Sequence, residues 1–433
     1  LVSIGTRGDA QPFVVLADEL VRRGHEVVLG LSPDLVEFAG RAGLHAEPVG
    51  PSPRDFMDTD EGRALLTSRN AWQMVDRMSR YLNLSAAMRF AQTRALCEGA
   101  DAIVASPLSE DSAVCVAEAA RIPFAGLHVH PWRRTRAYPV FAITTRQLPP
   151  AVNLATWWLF ERMWWRGQRT EVNRLRAEVG LAPTRRSTWA RMAAAGAPAI
   201  QAYHRAVVPG LVDYGAQTPV VGFLTPSADL RAQFGDAGVN AELEAWLDAS
   251  DPPVYFGFGS IPVLDPAATL AMIRTVADRC GVRAIVSAGW SRLEADASDE
   301  RIRVIGSVDL AALLPRCRAA VHHGGAGTTA TGVIAGVPAV VCSNPFGDQP
   351  FWGKRLERLG VGKHMPLADM DAATLTTALQ QVLDPAYASR ARHLAEIVGA
   401  DADAAARTAD YLEQLWTRTG DRRVAPAGRA VPA

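Results

Sequence analysis

Apolar and polar positions alternate in blocks from the first residue. A short apolar run at positions 1–4 leads into the glycine-bearing turn "GTRGD". An amphipathic stretch follows, in which Pro12 suits a first helical turn and Gly24 the place just beyond a helix end. With a second apolar run at 26–29, the opening thirty residues read as a βαβ unit. Further strands are expected at 102–105 and 124–129, separated by helical stretches. In "NLATWWLFERMWWRGQ" the aromatics Trp157, Trp158, Phe160, Trp164 and Trp165 fall largely three and four apart. That is the spacing of an apolar helix face, which packs as core and can also wall a cavity.

The pattern breaks between about 207 and 240, where proline, glycine and aspartate recur without period. Beyond it, apolar runs at 254–258, 284–287, 303–305, 319–321 and 339–341 alternate with helical stretches, which predicts a second parallel sheet. The expectation is an α/β chain of two Rossmann-like, doubly wound parallel-sheet domains facing across a cleft. The divisions are 1–212 for the first domain, 213–240 for the linker, 241–403 for the second domain, and a helix at 404–418 that crosses back. Ligands in such sheets bind at the carboxyl ends of the strands.

Charge narrows the functions open to such a chain. Forty-five basic residues balance forty-five acidic ones, so no net basic field draws nucleic acid. Five scattered cysteines without a CxxC pair argue against a disulfide framework or a zinc site and point to a reducing cytoplasm.

Chemistry concentrates in two βα turns and one loop. "HHGGAGTT", 322–329, follows a strand and precedes a helix expected to begin near Thr328. There, backbone N–H groups and the positive end of the helix dipole suit a phosphate. Gly324, Gly325 and Gly327 let a ligand approach the chain closely, and a structural turn with a buried histidine is the plainer reading. Adjacent histidines at a strand end point to opposite faces and no third ligand lies at metal spacing, so zinc is disfavoured. In "NPFGDQPFWG" Asp348 and Gln349 emerge at the same sheet edge, a carboxylate and a carboxamide suited to vicinal hydroxyls. Asp9 ends the first strand, either as a helix N-cap or as a general base that would need burial or a partner to raise its pKa.

Together, "GTRGDAQPF", "HPWRRTRAYP" (130–139), "FGFGS" and the block from "HHGGAGTT" to "FGDQPFWG" resemble the nucleotide-sugar-dependent glycosyltransferases of GT-B fold. The likeness is to the branch of sterol glucosyltransferases and bacterial glycopeptide and polyketide antibiotic glycosyltransferases. It implies inverting transfer of a sugar to an acceptor hydroxyl, without metal or cofactor, the nucleotide sugar being a co-substrate. By that resemblance Asp9 is the base, and His322, Gly324, Gly325, Gly327 and Thr328 hold the diphosphate with help from Ser260. Asp348 and Gln349 hold the sugar, and the backbone of Val308 reads the base. Plant relatives carry a histidine where Asp9 stands and a tryptophan to stack on the base. "VIGSVDLAALL" has no tryptophan, and Trp290 is the substitute.

The expected donor is UDP-glucose and the expected acceptor a sterol-like or other lipophilic alcohol, with Trp132 and Trp157 on the acceptor side and transient membrane contact if that acceptor is a lipid. The alternative is a tailoring enzyme carrying a dTDP-deoxysugar to a polyketide or peptide aglycone. A nicotinamide enzyme is disfavoured, because no G-x-G-x-x-G follows the first strand.

Overall fold

The computed structural model describes residues 1–66, 71–235, 238–259, 265–287, 300–306, 308–345, 347–401 and 403–424, apart from the side chains of 65–66, 71–72 and 418–424. The chain forms two six-stranded parallel sheets, each flanked by helices. The first contains β1 (Val2–Ser3), β2 (Val28–Leu31), β3 (His45–Pro48), β4 (Ile103–Ala105), β5 (Phe124–His128) and β6 (Ala199–Gln201). Its order is β3-β2-β1-β4-β5-β6. The second contains β7 (Val254–Gly257), β8 (Ala284–Ser287), β9 (Ile302–Ile305), β10 (Ala319–His322), β11 (Ala339–Ser343) and β12 (Gly362–Pro366), in the order β12-β11-β10-β7-β8-β9. Counted from its own first strand, the second sheet repeats the order of the first. In both, the connection reverses direction between the first and fourth strands, and there the crevice for a ligand opens.

The central strands are short and apolar because helices cover both faces. Val254, Phe256, Val321 and Val340 are wholly buried in one cluster. Three strands escaped the hydrophobic pattern. β3 ("HAEP") and β12 ("GKHMP") are edge strands, the first largely exposed and the second half-buried, and edges carry polar residues and proline. β6 ("AIQ") has one large apolar residue, too few to stand out as a run. β2 also begins two residues later than the apolar run at 26–29 suggests.

Between the sheets the chain packs against both domains. Tyr203, Val207, Val208 and Leu211 share a buried cluster with Phe351 and Trp352 of the second domain, whereas Leu230 and Phe234 join the core of the first. The last helix, Ala404–Val424, returns to the first domain and lies along the helix Arg7–Arg22. Burial of Ala409 and Leu412 holds it there. Bonds from Arg23 to Asp410 (2.6 Å) and Glu413 (3.0 Å) fix its direction along the surface. Among the described residues, no helix is long and apolar enough to cross a membrane.

Candidate active site

Asp9 sits where the first sheet meets the second. The helix Arg7–Arg22 begins before the punctuation of the sequence suggests, so Pro12 falls inside it and Thr6 is its N-cap. Asp9 is the third helical residue and closes a capping box: its Oδ2 accepts from the Thr6 backbone N–H at 2.8 Å and from Thr6 Oγ1 at 3.2 Å. Gly5 makes this possible. Its φ of 133° lies outside the range of ordinary residues, and a Cβ there would overlap Asp9 Oδ2. Burial pushes the Asp9 carboxyl up to about 6, the two Thr6 bonds pull against this, and the charge of Asp348 raises it further. The capping carboxylate is thus held in a fixed direction with its basicity raised toward neutrality.

Facing it is the start of the helix Ala326–Ile334, whose N-cap is Gly325. A Cβ on Gly327 would meet Gly8 Cα at 3.9 Å, so the two helix starts approach each other across the cleft. This second helix start has no side-chain cap and no acidic residue in its first turn. Its N–H groups and positive dipole end suit an anion. Thr328 is its third residue and half-buried. Gly324, with φ 88°, packs so tightly that a Cβ would lie 2.6 Å from Val341 and 3.0 Å from the Gln349 carbonyl.

The two histidines divide, and not as the sequence analysis assigns them. His322 is 1% exposed, its Nδ1 accepts from the Gly324 N–H at 3.1 Å, and it lines a small enclosed space with Thr329, Val333 and Leu394. His323 points to the opposite face of the strand end, between Gly259 and Gly325, where a Cβ on either glycine would lie 2.5 Å from its ring. His323 therefore stands beside the open helix start, and His322 props the turn from below. Burial pushes His323 down to about 4, so the ring is neutral near pH 7.

The loop after β11 brings in the third group. Asp348 is the N-cap of the helix Gln349–Arg358, and its Oδ2 accepts from Trp352 Nε1 at 2.6 Å. Burial pushes it up to about 6. Gln349 Oε1 accepts from the Asn344 N–H at 3.1 Å, which leaves its amide donors for a ligand. From the first domain His130 reaches toward the same carboxylate, Nδ1 to Oδ2 3.6 Å. Arg355 fastens this corner by donating to the Val207 carbonyl at 2.9 Å.

The first domain's own polar groups are mostly engaged with one another. Arg133 and His128 both bond the buried Glu110 at 2.7 Å, and Gln201 links His128 to Tyr203. Arg134 Nε bonds Glu161 at 2.7 Å and its guanidinium stacks on Trp158. Arg133 and Arg134 of "HPWRRTRAYP" are thus internal fasteners. Trp157 is 1% exposed, with Nε1 on the Tyr138 carbonyl, and belongs to the core rather than to a ligand surface. Trp132 meets His130, Phe141, Phe160, Trp164 and Trp189 in one aromatic cluster. Beside that cluster a cleft is lined by Pro107, Glu161, Trp164, Trp165, Thr188 and Trp189. The Val308 side chain is buried against the second domain's core. Ser260 and Trp290 lie outside the described residues.

Comparison with known proteins fits this arrangement. Residues 1–139 match the glycosyltransferase family 28 N-terminal domain, and residues 285–413 match the C-terminal domain of erythromycin biosynthesis protein CIII-like proteins. An uncharacterized glycosyltransferase of Mycobacterium leprae is 34% identical over 431 residues, 98% of this chain and 98% of that one. The chain is a GT-B glycosyltransferase. A sterol 3-beta-glucosyltransferase of Arabidopsis thaliana is 33% identical over 408 residues, covering 92% of this glycosyltransferase and 62% of the plant protein. Among solved structures, the glycotransferase of kitacinnamycin superposes with TM-score 0.66 at 19% identity, covering 95% of this chain and 97% of the other. The glycosyltransferase SsfS6 of Streptomyces sp. SF2575, complexed with thymidine diphosphate, gives 0.59 at 19% identity over 94% and 98%. At such identities these structures speak for the fold.

Proposed function

We propose that this glycosyltransferase moves glucose from UDP-glucose to a hydroxyl of a lipophilic, sterol-like acceptor with inversion at the anomeric carbon. One observation carries the reading: a raised carboxylate, Asp9, faces an uncapped helix N-terminus across the cleft. In this reading the Asp9 carboxylate takes the acceptor's hydroxyl proton while that oxygen attacks the anomeric carbon from the face opposite the diphosphate. The bond from that carbon to the diphosphate oxygen breaks, and the nucleoside diphosphate leaves with the electron pair. The N–H groups of Gly327 and Thr328 meet the added charge, with the His323 ring beside them. Asp348 and Gln349 hold sugar hydroxyls, Trp132 and the neighbouring tryptophans wall the acceptor side, and no step needs a metal. The resemblance to a sterol glucosyltransferase supports glucose and a flat, greasy alcohol.

A second reading keeps the chemistry and changes the substrates, to a dTDP-deoxysugar and a polyketide or peptide aglycone. The fold's likeness to antibiotic glycosyltransferases, one of them complexed with thymidine diphosphate, favours it. Calorimetric titration with UDP-glucose and dTDP-glucose, followed by a product screen against sterols and aglycones, separates the two. Tighter binding of UDP-glucose and a glucosylated sterol support the first reading. A dTDP preference with a glycosylated aglycone replaces it with the second.

A further inference from the structure

His130 is a histidine that the mechanism above does not use, and its surroundings are unusual. Both ring nitrogens are shut off from solvent and neither has a hydrogen-bond partner. The ring packs edge-on against Trp132 at 5.4 Å and Phe141 at 5.2 Å. Asp348 of the other domain approaches it, with 3.6 Å between Nδ1 and Oδ2, longer than a hydrogen bond. Burying a polar group without a partner is unfavourable, and natural cores avoid it. At a ligand site the missing partner arrives with the ligand. Burial pushes the imidazole down to about 3, which keeps it neutral and able both to donate and to accept.

We propose that His130 is a third sugar-holding residue, supplied by the acceptor-side domain: its imidazole hydrogen-bonds a hydroxyl of the sugar that Asp348 and Gln349 hold from the other side. This rests on the proposed donor site. It adds that the sugar, and not the nucleotide, is gripped by both domains at once. A donor with its sugar attached would then favour the closed cleft, and the nucleoside diphosphate left after transfer would lose that contact.

The test compares two ligands on three proteins. Dissociation constants for UDP and UDP-glucose, or for dTDP and dTDP-glucose if the wild type prefers those, are measured by calorimetry on the wild type, His130→Phe and His130→Gln. Phe keeps the aromatic packing and removes the nitrogens, whereas Gln restores a donor and an acceptor. The expected result is about a tenfold loss of nucleotide-sugar affinity in His130→Phe. Nucleoside diphosphate affinity should stay within about twofold, and His130→Gln should recover part of the loss. Equal weakening of both ligands in the variants would assign His130 a structural role and overturn the proposal, as would no change in either. If the wild type binds neither ligand, the proposed donor site itself fails and His130's role falls with it.

Discussion

The two helix starts that meet in the cleft are built from the same βα unit and have opposite electrostatics. In the first domain, the third helical residue is Asp9, which bonds back to Thr6 and so brings its own anion. In the second, the third residue is Thr328, the N-cap is a glycine, and no acidic side chain lies in the first turn. In the proposed mechanism one end supplies the base and the other is left open for an anion from outside. A transfer reaction that removes a proton at one place and develops negative charge a few ångströms away needs this asymmetry. The lesson is that a fold repeated twice became one site by filling one helix start and leaving its twin open.

The strongest way to break this contrast is to neutralise the filled end. Asp9→Asn keeps an oxygen for Thr6 and removes the base, so turnover should fall about 10³-fold while nucleoside diphosphate affinity stays unchanged. Activity retained within tenfold would remove Asp9 from the mechanism. Next come the two histidines. His323→Gln, which keeps a donor and most of the volume, should lower turnover by about 10²-fold at nearly unchanged melting temperature. His322→Ala strips the Gly324 N–H of its acceptor and should act chiefly as a destabilisation of about 1–3 kcal/mol. The reverse pattern would return the diphosphate role to His322.

The pH profile gives a smaller, graded effect. Only ionised Asp9 accepts a proton, and its carboxyl stands at about 6. The acidic limb of kcat/KM should therefore drop about tenfold per pH unit below 6 and be flat above. A limb near pH 4 would mean that Asp9 is solvated during catalysis. The smallest effect concerns stability. A folded-state pKa above the unfolded value of 3.8 means that the folded chain binds the proton more tightly, so Asp9 costs stability when ionised. That cost is fully present above pH 6 and fades as pH falls toward 4. Asp9→Asn should therefore melt about 2 °C higher than the wild type at pH 8 and equally at pH 4.

Much of the fold was legible in the chain, because central parallel strands are continuous apolar runs. β5, β7, β8, β10 and β11 stand close to where hydrophobicity places them. Of the edge strands, β9 carries that signal through Ile302 and Val304, whereas β3, β6 and β12 do not. The glycosyltransferase family was readable in the block from His322 to Gln349, since chemistry there is tied to spacing. Orientation was not readable. Strand alternation says that one of His322 and His323 faces the open helix start, but choosing between them takes the packing of Gly259 and Gly325 around one ring. Trp157 shows the same limit: an aromatic stripe at helical spacing gives no way to tell which ring is core and which meets a cavity. His130 was visible only as part of a motif, because its unpaired nitrogens and its approach to Asp348 arise from chain segments over two hundred residues apart.

The central claim is that the open helix start at Ala326 is the anion site, and Thr328→Asp tests it most directly. That substitution gives the second helix an acid at the position Asp9 holds in the first, where it can cap its own N-terminus. Calorimetric titration with UDP and with dTDP requires no knowledge of the acceptor. The account predicts that the wild type binds a nucleoside diphosphate and that Thr328→Asp binds it about 10²-fold more weakly while melting no lower. Equal affinity in the two proteins would contradict it.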